Sequence, residues 1–191
     1  MPMTPTDMVH IDVGAILQSA LRGTRSDLVT RATGRTVRDR IEERMASGQR
    51  GAVAVIDFSR VGLLDFSCAD EIVATLMRRC CAGMSSEHYL LFDGITDAHL
   101  DAIEHVLQHH RLALVVRFTD LGGHRLVGMV DESERVVWEA VARGQRVTAT
   151  EVAAETGLSE EDAVIHLLAL HRRRLVMRDG PVFRAPLGAI A

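Results

Sequence analysis

The feature that most constrains the fold is residues 52–58, AVAVIDF, followed by a short loop and then by a helix pattern. The run is apolar except for Asp57 and contains several β-branched residues, which is typical of a strand covered on both faces. Ser67 is followed three residues later by Asp70, the spacing of a capping box. The segment therefore predicts a buried strand, an exit loop and a serine-capped helix that begins at about Cys68.

Strand and helix patterns alternate on both sides of this segment. Apolar runs predict strands at residues 9–13, 88–92 and 112–118, and periodic apolar positions predict helices at residues 15–21, at 27–45 and after Thr96 or Asp97. Residues 119–123 contain a glycine pair and are predicted to be a connection, although residues 124–130 could add one more strand. The alternation indicates an α/β domain over residues 24–125, and residues 1–23 form an N-terminal segment without an assigned role.

The strand, loop and serine-capped helix resemble the STAS family, the sulfate-transporter and anti-sigma-factor-antagonist domains. The family carries an Asp-Ser-Ser-Gly-like signature at this place, where this chain has Asp65, Phe66, Ser67 and Cys68. With the acidic pair Asp70 and Glu71, the segment SCADE is more similar to a STAS-like bacterial family of undefined function than to the true antagonists. The resemblance implies an α/β fold and a protein partner, such as a kinase, an anti-sigma-like factor or another regulator.

Two interpretations of Ser67 remain open. In the first, its hydroxyl only caps the helix and contributes about 1 kcal/mol. In the second, which follows from the resemblance, Ser67 is a phosphoacceptor at a helix N-terminus, where the dipole and free amides favour an anion. In either case we expect the surrounding residues to form the partner surface, namely Asp65, Phe66, Cys68, Asp70 and Glu71.

In the last sixty residues, apolar positions recur at helical spacing and are followed by a hairpin pattern. Helices are predicted at residues 132–143, at 151–156 with Thr150 as the cap, and after Ser159, with Gly157 in the turn between the last two. Residues 175–184 then form a hairpin around Asp179-Gly180. The pattern is similar to the winged helix-turn-helix domains of bacterial regulators, which predicts an α+β domain over residues 126–191.

The charge of this domain does not decide whether it binds DNA. The turn that would enter the major groove carries Glu160, Glu161 and Asp162, and residues 131–191 hold eight arginines and ten acidic residues, a net charge of −2. Affinity for DNA depends on positive charge that neutralises phosphates. A basic edge is nevertheless predicted at the end of the third helix and on the hairpin, from Arg172, Arg173, Arg174, Arg178 and Arg184.

Composition limits the remaining classes of function. The chain has 191 residues, 47% of them hydrophobic, and a net charge of −4, with all 22 basic residues being arginine. We expect a cytoplasmic protein without a membrane span, with its three cysteines reduced. No nucleophile elbow or phosphate-binding glycine loop occurs, so we expect neither enzyme activity nor a cofactor. Asp101, His105 and His109 share one helix face, but without a further ligand nearby we expect no metal site.

The sequence thus supports two hypotheses. In the first, a STAS-like domain with an attached winged helix binds protein partners, and the winged helix is a second docking or homodimer surface. In the second, the protein is a transcription regulator whose winged helix binds an operator while the STAS-like part senses or dimerises. The acidic turn favours the first hypothesis, and the fold favours the second.

Overall fold

A computed structural model describes residues 8–21, 26–49, 51–82, 88–118 and 123–187. Its centre is a five-stranded sheet in the order β1-β2-β3-β4-β5. The first four strands are parallel, and the last runs antiparallel to β4. The strands are β1 (Met8–Asp12), β2 (Val53–Asp57), β3 (Tyr89–Ile95), β4 (Ala113–Phe118) and β5 (His124–Gly128). The expected α/β class is confirmed, with a mixed rather than fully parallel sheet.

Helices connect the strands and fill the C-terminal region. Five α-helices belong to the first part of the chain: α1 (Val13–Leu21), α2 (Arg31–Ala46), α3 (Phe66–Ala69), α4 (Thr75–Cys81) and α5 (Asp97–His110). A π-helical segment, Asp70–Ala74, joins α3 to α4 without a break. Three helices follow, α6 (Glu132–Gly144), α7 (Ala149–Thr156) and α8 (Glu160–Arg172), together with a small sheet of β6 (Val147–Thr148), β7 (Met177–Asp179) and β8 (Val182–Arg184) in the order β6-β8-β7.

The five-stranded sheet is buried on both faces, as the apolar run of residues 52–58 predicts. Ala54 and Ile56 of β2 face a core that also contains side chains of α1 to α5. Val53 and Val55 face a second core, which is completed by side chains of α6, α7, α8 and the small sheet. Successive residues of a strand point to opposite faces, so one strand contributes to both cores.

The predicted domain boundary between residues 125 and 126 falls inside β5. This strand pairs with β4 in the register Val115↔Leu126 and Val116↔Arg125. The alternative, that residues 124–130 add a strand, is confirmed. The C-terminal unit, defined here as residues 131–187, packs on the second face of the sheet. Residues 119–122 of the predicted connection, and residues 1–7 and 22–25 of the N-terminal part, lie outside the described residues.

Several predicted helix ends are confirmed and others shift. Ser159 caps α8 through the Asp162 amide, and Gly157 has the expected left-handed conformation. The cap of α7 is Thr148 rather than Thr150, whose hydroxyl instead donates to Glu160. The cap of α2 is Thr30, so that helix begins at residue 31 and not near residue 27.

The small hairpin turns one residue later than predicted. Asp179 pairs with Val182, which leaves Gly180 and Pro181 as the turn residues. Within the described residues, none of the helices has both the length and the apolar character required to cross a membrane.

Candidate functional site

The segment around Ser67 lies where the chain leaves the carboxyl end of β2 and enters α3. The exit loop is tied to the residues before α2, because the Leu28 amide donates to the Leu63 carbonyl at 2.7 Å and the Asp65 amide donates to the Leu28 carbonyl at 2.9 Å. Leu28 and Leu64 form an isolated parallel bridge and are both buried. The start of α3 is therefore fixed against the approach to α2.

Asp65, and not Ser67, is the N-cap of α3. Its Oδ1 accepts from the Cys68 amide at 2.7 Å and from the Ser67 hydroxyl at 2.9 Å, and its Oδ2 accepts from the Thr30 amide at 3.0 Å. The predicted cap at Ser67 and the predicted start at Cys68 are wrong, since the helix begins at Phe66. A carboxylate can accept from several donors at once, which explains why Asp65 takes this position.

The same hydrogen bonds decide the charge state of Asp65. Desolvation raises the pKa of its carboxyl, but hydrogen bonds from the Cys68 and Thr30 amides and from the Ser67 hydroxyl outweigh that effect and hold the pKa below its usual range. Asp65 is therefore ionised at neutral pH, and the Ser67 hydroxyl donates to an anion. Ser67 itself is half-buried.

Two members of the predicted partner surface are buried. Cys68 is inaccessible, its Sγ donates to the Thr30 carbonyl at 3.0 Å, and burial raises the pKa of its thiol to about 12. Glu71 is only 6% exposed and forms ion pairs with three arginines of α2. Those arginines are Arg31 at 3.0 Å, Arg35 at 3.8 Å and Arg38, which is itself buried. The surface is thus smaller than the sequence predicts.

Asp70 joins three elements from the start of the π-helical segment. Its carboxylate contacts Arg31 of α2 at 2.8 Å and His110 Nε2 of α5 at 2.6 Å. Desolvation raises the pKa of Asp70, whereas the hydrogen bonds from His110 and Arg31 lower it by more, so the pKa lies below its usual range. Segments of π-helix occur often at functional sites, and here charged contacts hold the segment between two helices.

An apolar patch lies beside Ser67. Its three side chains are all exposed: Val29 at 39%, Leu63 at 52% and Phe66 at 41%. Phe66 contacts the His105 ring edge-on, with 4.8 Å between the ring centroids. We call these three residues the apolar patch. Val29 and Leu63 were not predicted from the sequence; the signal that could have indicated Leu63 is an apolar residue in the exit loop.

The histidines considered as metal ligands have other contacts. His105 lies against Phe66, and His109 lies edge-on against His110 at 4.8 Å. In the part of the chain that the structure describes, no three His, Cys, Asp or Glu side chains are grouped so as to hold a metal ion.

The five arginines of the predicted basic edge are only partly available. Arg172 is exposed, but Arg173 bonds Glu134 at 2.7 Å and also the Met129 carbonyl. Arg174 lies over the Tyr89 ring, 5.3 Å from its centroid. On the hairpin, Arg178 lies over Phe183 and Arg184 is half-buried, where desolvation lowers its pKa. Two of the three arginines at the end of α8 therefore hold the C-terminal unit in place.

A groove of about 630 Å³ runs between α5, β5 and α6. Its lining residues include Arg125, Arg135, Arg143, Trp138 and Glu104. The groove was not predicted from the sequence, because its walls are brought together by the pairing of β5 with β4.

Comparison with other proteins does not test the family resemblances, which stay expectations. No protein-family model matches the chain, and no curated protein is significantly similar to it.

Proposed function

We propose that this protein is a bacterial signalling regulator that binds a protein partner through the apolar patch and the adjacent Ser67. The observation that carries the proposal is the patch itself, three exposed apolar side chains on a loop and helix start that backbone hydrogen bonds tie together. Exposed apolar clusters with a polar rim mark protein interaction sites. The ionised Asp65 directly precedes Phe66, so the partner surface is expected to be apolar with a basic residue opposite that carboxylate.

Phosphorylation of Ser67 would switch this surface. A phosphate on Ser67 removes the hydroxyl proton that now bonds Asp65, and it adds negative charge beside an ionised carboxylate. The two anions would repel each other, and the Asp65 cap and its bond to the Thr30 amide would weaken. The apolar patch, which depends on that tie for its arrangement, would change with it. The STAS-like resemblance supports a kinase as the modifying partner.

Paired substitutions test the partner surface. Phe66→Asp and Leu63→Asp are expected to weaken binding to the partner, captured from host extract and then purified, by about tenfold or more, because each places a charge in the apolar contact. Met129→Asp is the matched control, since Met129 is 44% exposed and lies far along the chain in a different segment. Equal binding by all three variants would refute the proposal.

A separate measurement tests the switch. Incubation of the full chain with host extract and ATP should add one phosphate at Ser67, detected by peptide mass spectrometry, and Ser67→Ala should lose that signal. Absence of phosphate at Ser67 in the native protein and after incubation would leave Ser67 with a structural role only.

The second candidate is a DNA-binding regulator. The observation that favours it is the clustering of arginines at the end of α8 and on the hairpin, as in a winged helix. Against it stand the exposed Glu160, Glu161 and Asp162 at the start of α8. We expect the full chain to bind random duplex weakly, with a shallow dependence on salt. Tight binding with a steep salt slope in a fluorescence anisotropy titration would favour the regulator instead.

A further inference from the structure

One face of α8 is covered by the protein and the opposite face is not. Ala163, Leu167 and Leu170 point into the second core. On the outer face, five residues recur at helical spacing and form one stripe, which consists of Glu161, Val164, Ile165, Leu168 and Arg172. Ile165 is 55% exposed and Val164 is 36% exposed. We call this set the α8 stripe.

The α8 stripe carries opposite charges at its two ends. Glu161 lies in the first turn and Arg172 in the last, about 16 Å apart along the axis. Both are exposed, and neither forms an ion pair with another side chain among the residues that the structure describes. The apolar members lie between them. Along the helix the stripe is therefore first acidic, then apolar and then basic.

A second α8 that runs in the opposite direction presents a basic end to the acidic end of the first, and an apolar centre to its apolar centre. If a second α8 packs antiparallel across a two-fold axis, Glu161 of each copy lies opposite Arg172 of the other, and Ile165 lies opposite Leu168. Every contact then occurs twice, as in other two-fold interfaces. The same register satisfies both the charged and the apolar positions.

We propose that the α8 stripe is a homodimer interface in which the α8 helices of two copies pack antiparallel. A second copy fits better than DNA, because phosphates would meet the acidic end and the apolar centre would stay uncovered. A single helix pair buries less than the ~1,600 Å² of a standard interface. We expect a dissociation constant on the order of micromolar. This proposal is independent of the apolar patch, which lies with α3 on the other side of the sheet.

Sedimentation velocity of the full chain tests the dimer directly. Over concentrations from about 1 µM to about 1 mM, the weight-average mass should rise from the 21.0 kDa of one chain towards twice that value. A mass that stays at one chain throughout would overturn the proposal.

Charge reversal tests the register. Glu161→Arg and Arg172→Glu should each weaken dimerisation about tenfold, because each places like charges opposite one another at two symmetric positions. The double variant should return to within about threefold of the native dissociation constant, since the pair is restored in reverse. Glu104→Arg, an equal charge change on an exposed residue of α5, should leave dimerisation unchanged.

Three outcomes would overturn the antiparallel α8 dimer. They are full dimerisation of both single variants, failure of the double variant to recover, and a Glu161→Arg variant that gains duplex affinity while its mass is unchanged. Circular dichroism of each variant shows that the fold is retained, which is expected because all the changed side chains are exposed.

Discussion

Replacement of Asp65 should destabilise the protein far more than replacement of Ser67. In Asp65→Ala the Cys68 amide loses its cap, which costs about 1 kcal/mol, with a range of roughly 0.5–2. The Thr30 amide also loses its acceptor, and since that site is exposed, water offsets part of the loss and about 0.5–1 kcal/mol remains. We expect a total decrease in the free energy of unfolding of about 1–3 kcal/mol.

Ser67→Ala removes only a hydroxyl donor that caps no amide, so the expected cost is below about 0.5 kcal/mol. Asp65→Asn keeps one acceptor oxygen and should fall between the two. Urea unfolding followed by circular dichroism measures all three against the native chain. If Ser67→Ala costs as much as Asp65→Ala, the assignment of the cap to Asp65 is refuted.

The advantage of Asp65 over asparagine should also depend on pH. Because the folded pKa of Asp65 is below its unfolded value, its ionised form stabilises the fold above the unfolded pKa of about 4, and this stabilisation is lost as the pH falls through the folded pKa. The difference between the native chain and Asp65→Asn should therefore shrink below about pH 4. A constant difference would contradict the assignment of an ionised cap.

Four further predictions follow from the packing. Gly34→Ala should cost about 1–2 kcal/mol in thermal unfolding, because the added Cβ would lie 2.9 Å from the backbone of α3, a clash that exceeds the gain in helix propensity. Glu71→Ala should cost about 3–5 kcal/mol in urea, since it leaves Arg38 buried without its main partner, and Glu71→Gln should cost less. Burial lowers the pKa of His99, so below about pH 6.5 this histidine takes up a proton in the unfolded chain but not in the folded one. The free energy of unfolding should therefore decrease as the pH falls below about 6.5, and it should decrease less in His99→Phe. A fragment of residues 1–130 should bind a hydrophobic dye or aggregate, because the face of the sheet that packs against α6, α7 and α8 would be exposed. A soluble fragment that binds no dye would contradict this packing.

The features that the sequence predicts well are those that depend on local pattern. The strand at residues 53–57 was evident because burial on both faces leaves a nearly continuous apolar run. Ser159 is predictable as a cap because it is the one capping residue directly before the helical pattern of α8. In each case the determining contacts lie within a few residues.

The candidate site was harder to predict, because its contacts come from distant parts of the chain. Asp65 and Ser67 are both of residue types that cap helices, and the choice of Asp65 depends partly on the Thr30 amide, 35 residues away. The burial of Glu71 depends on the arginines of α2, so a charged residue that seemed to belong to the surface lies inside. The pairing of β5 likewise decides how the second half of the chain is attached.

Neighbouring residues of β2 support opposite sides of the molecule. Val55 belongs to the core beneath α6 and α8, and Ile56 belongs to the core beneath α3, although one peptide bond separates them. The two halves of the chain therefore cannot fold as independent domains. Without the other half, one face of the five-stranded sheet would be exposed to solvent. Heating should melt the chain in a single calorimetric transition, in which the calorimetric and van't Hoff enthalpies agree.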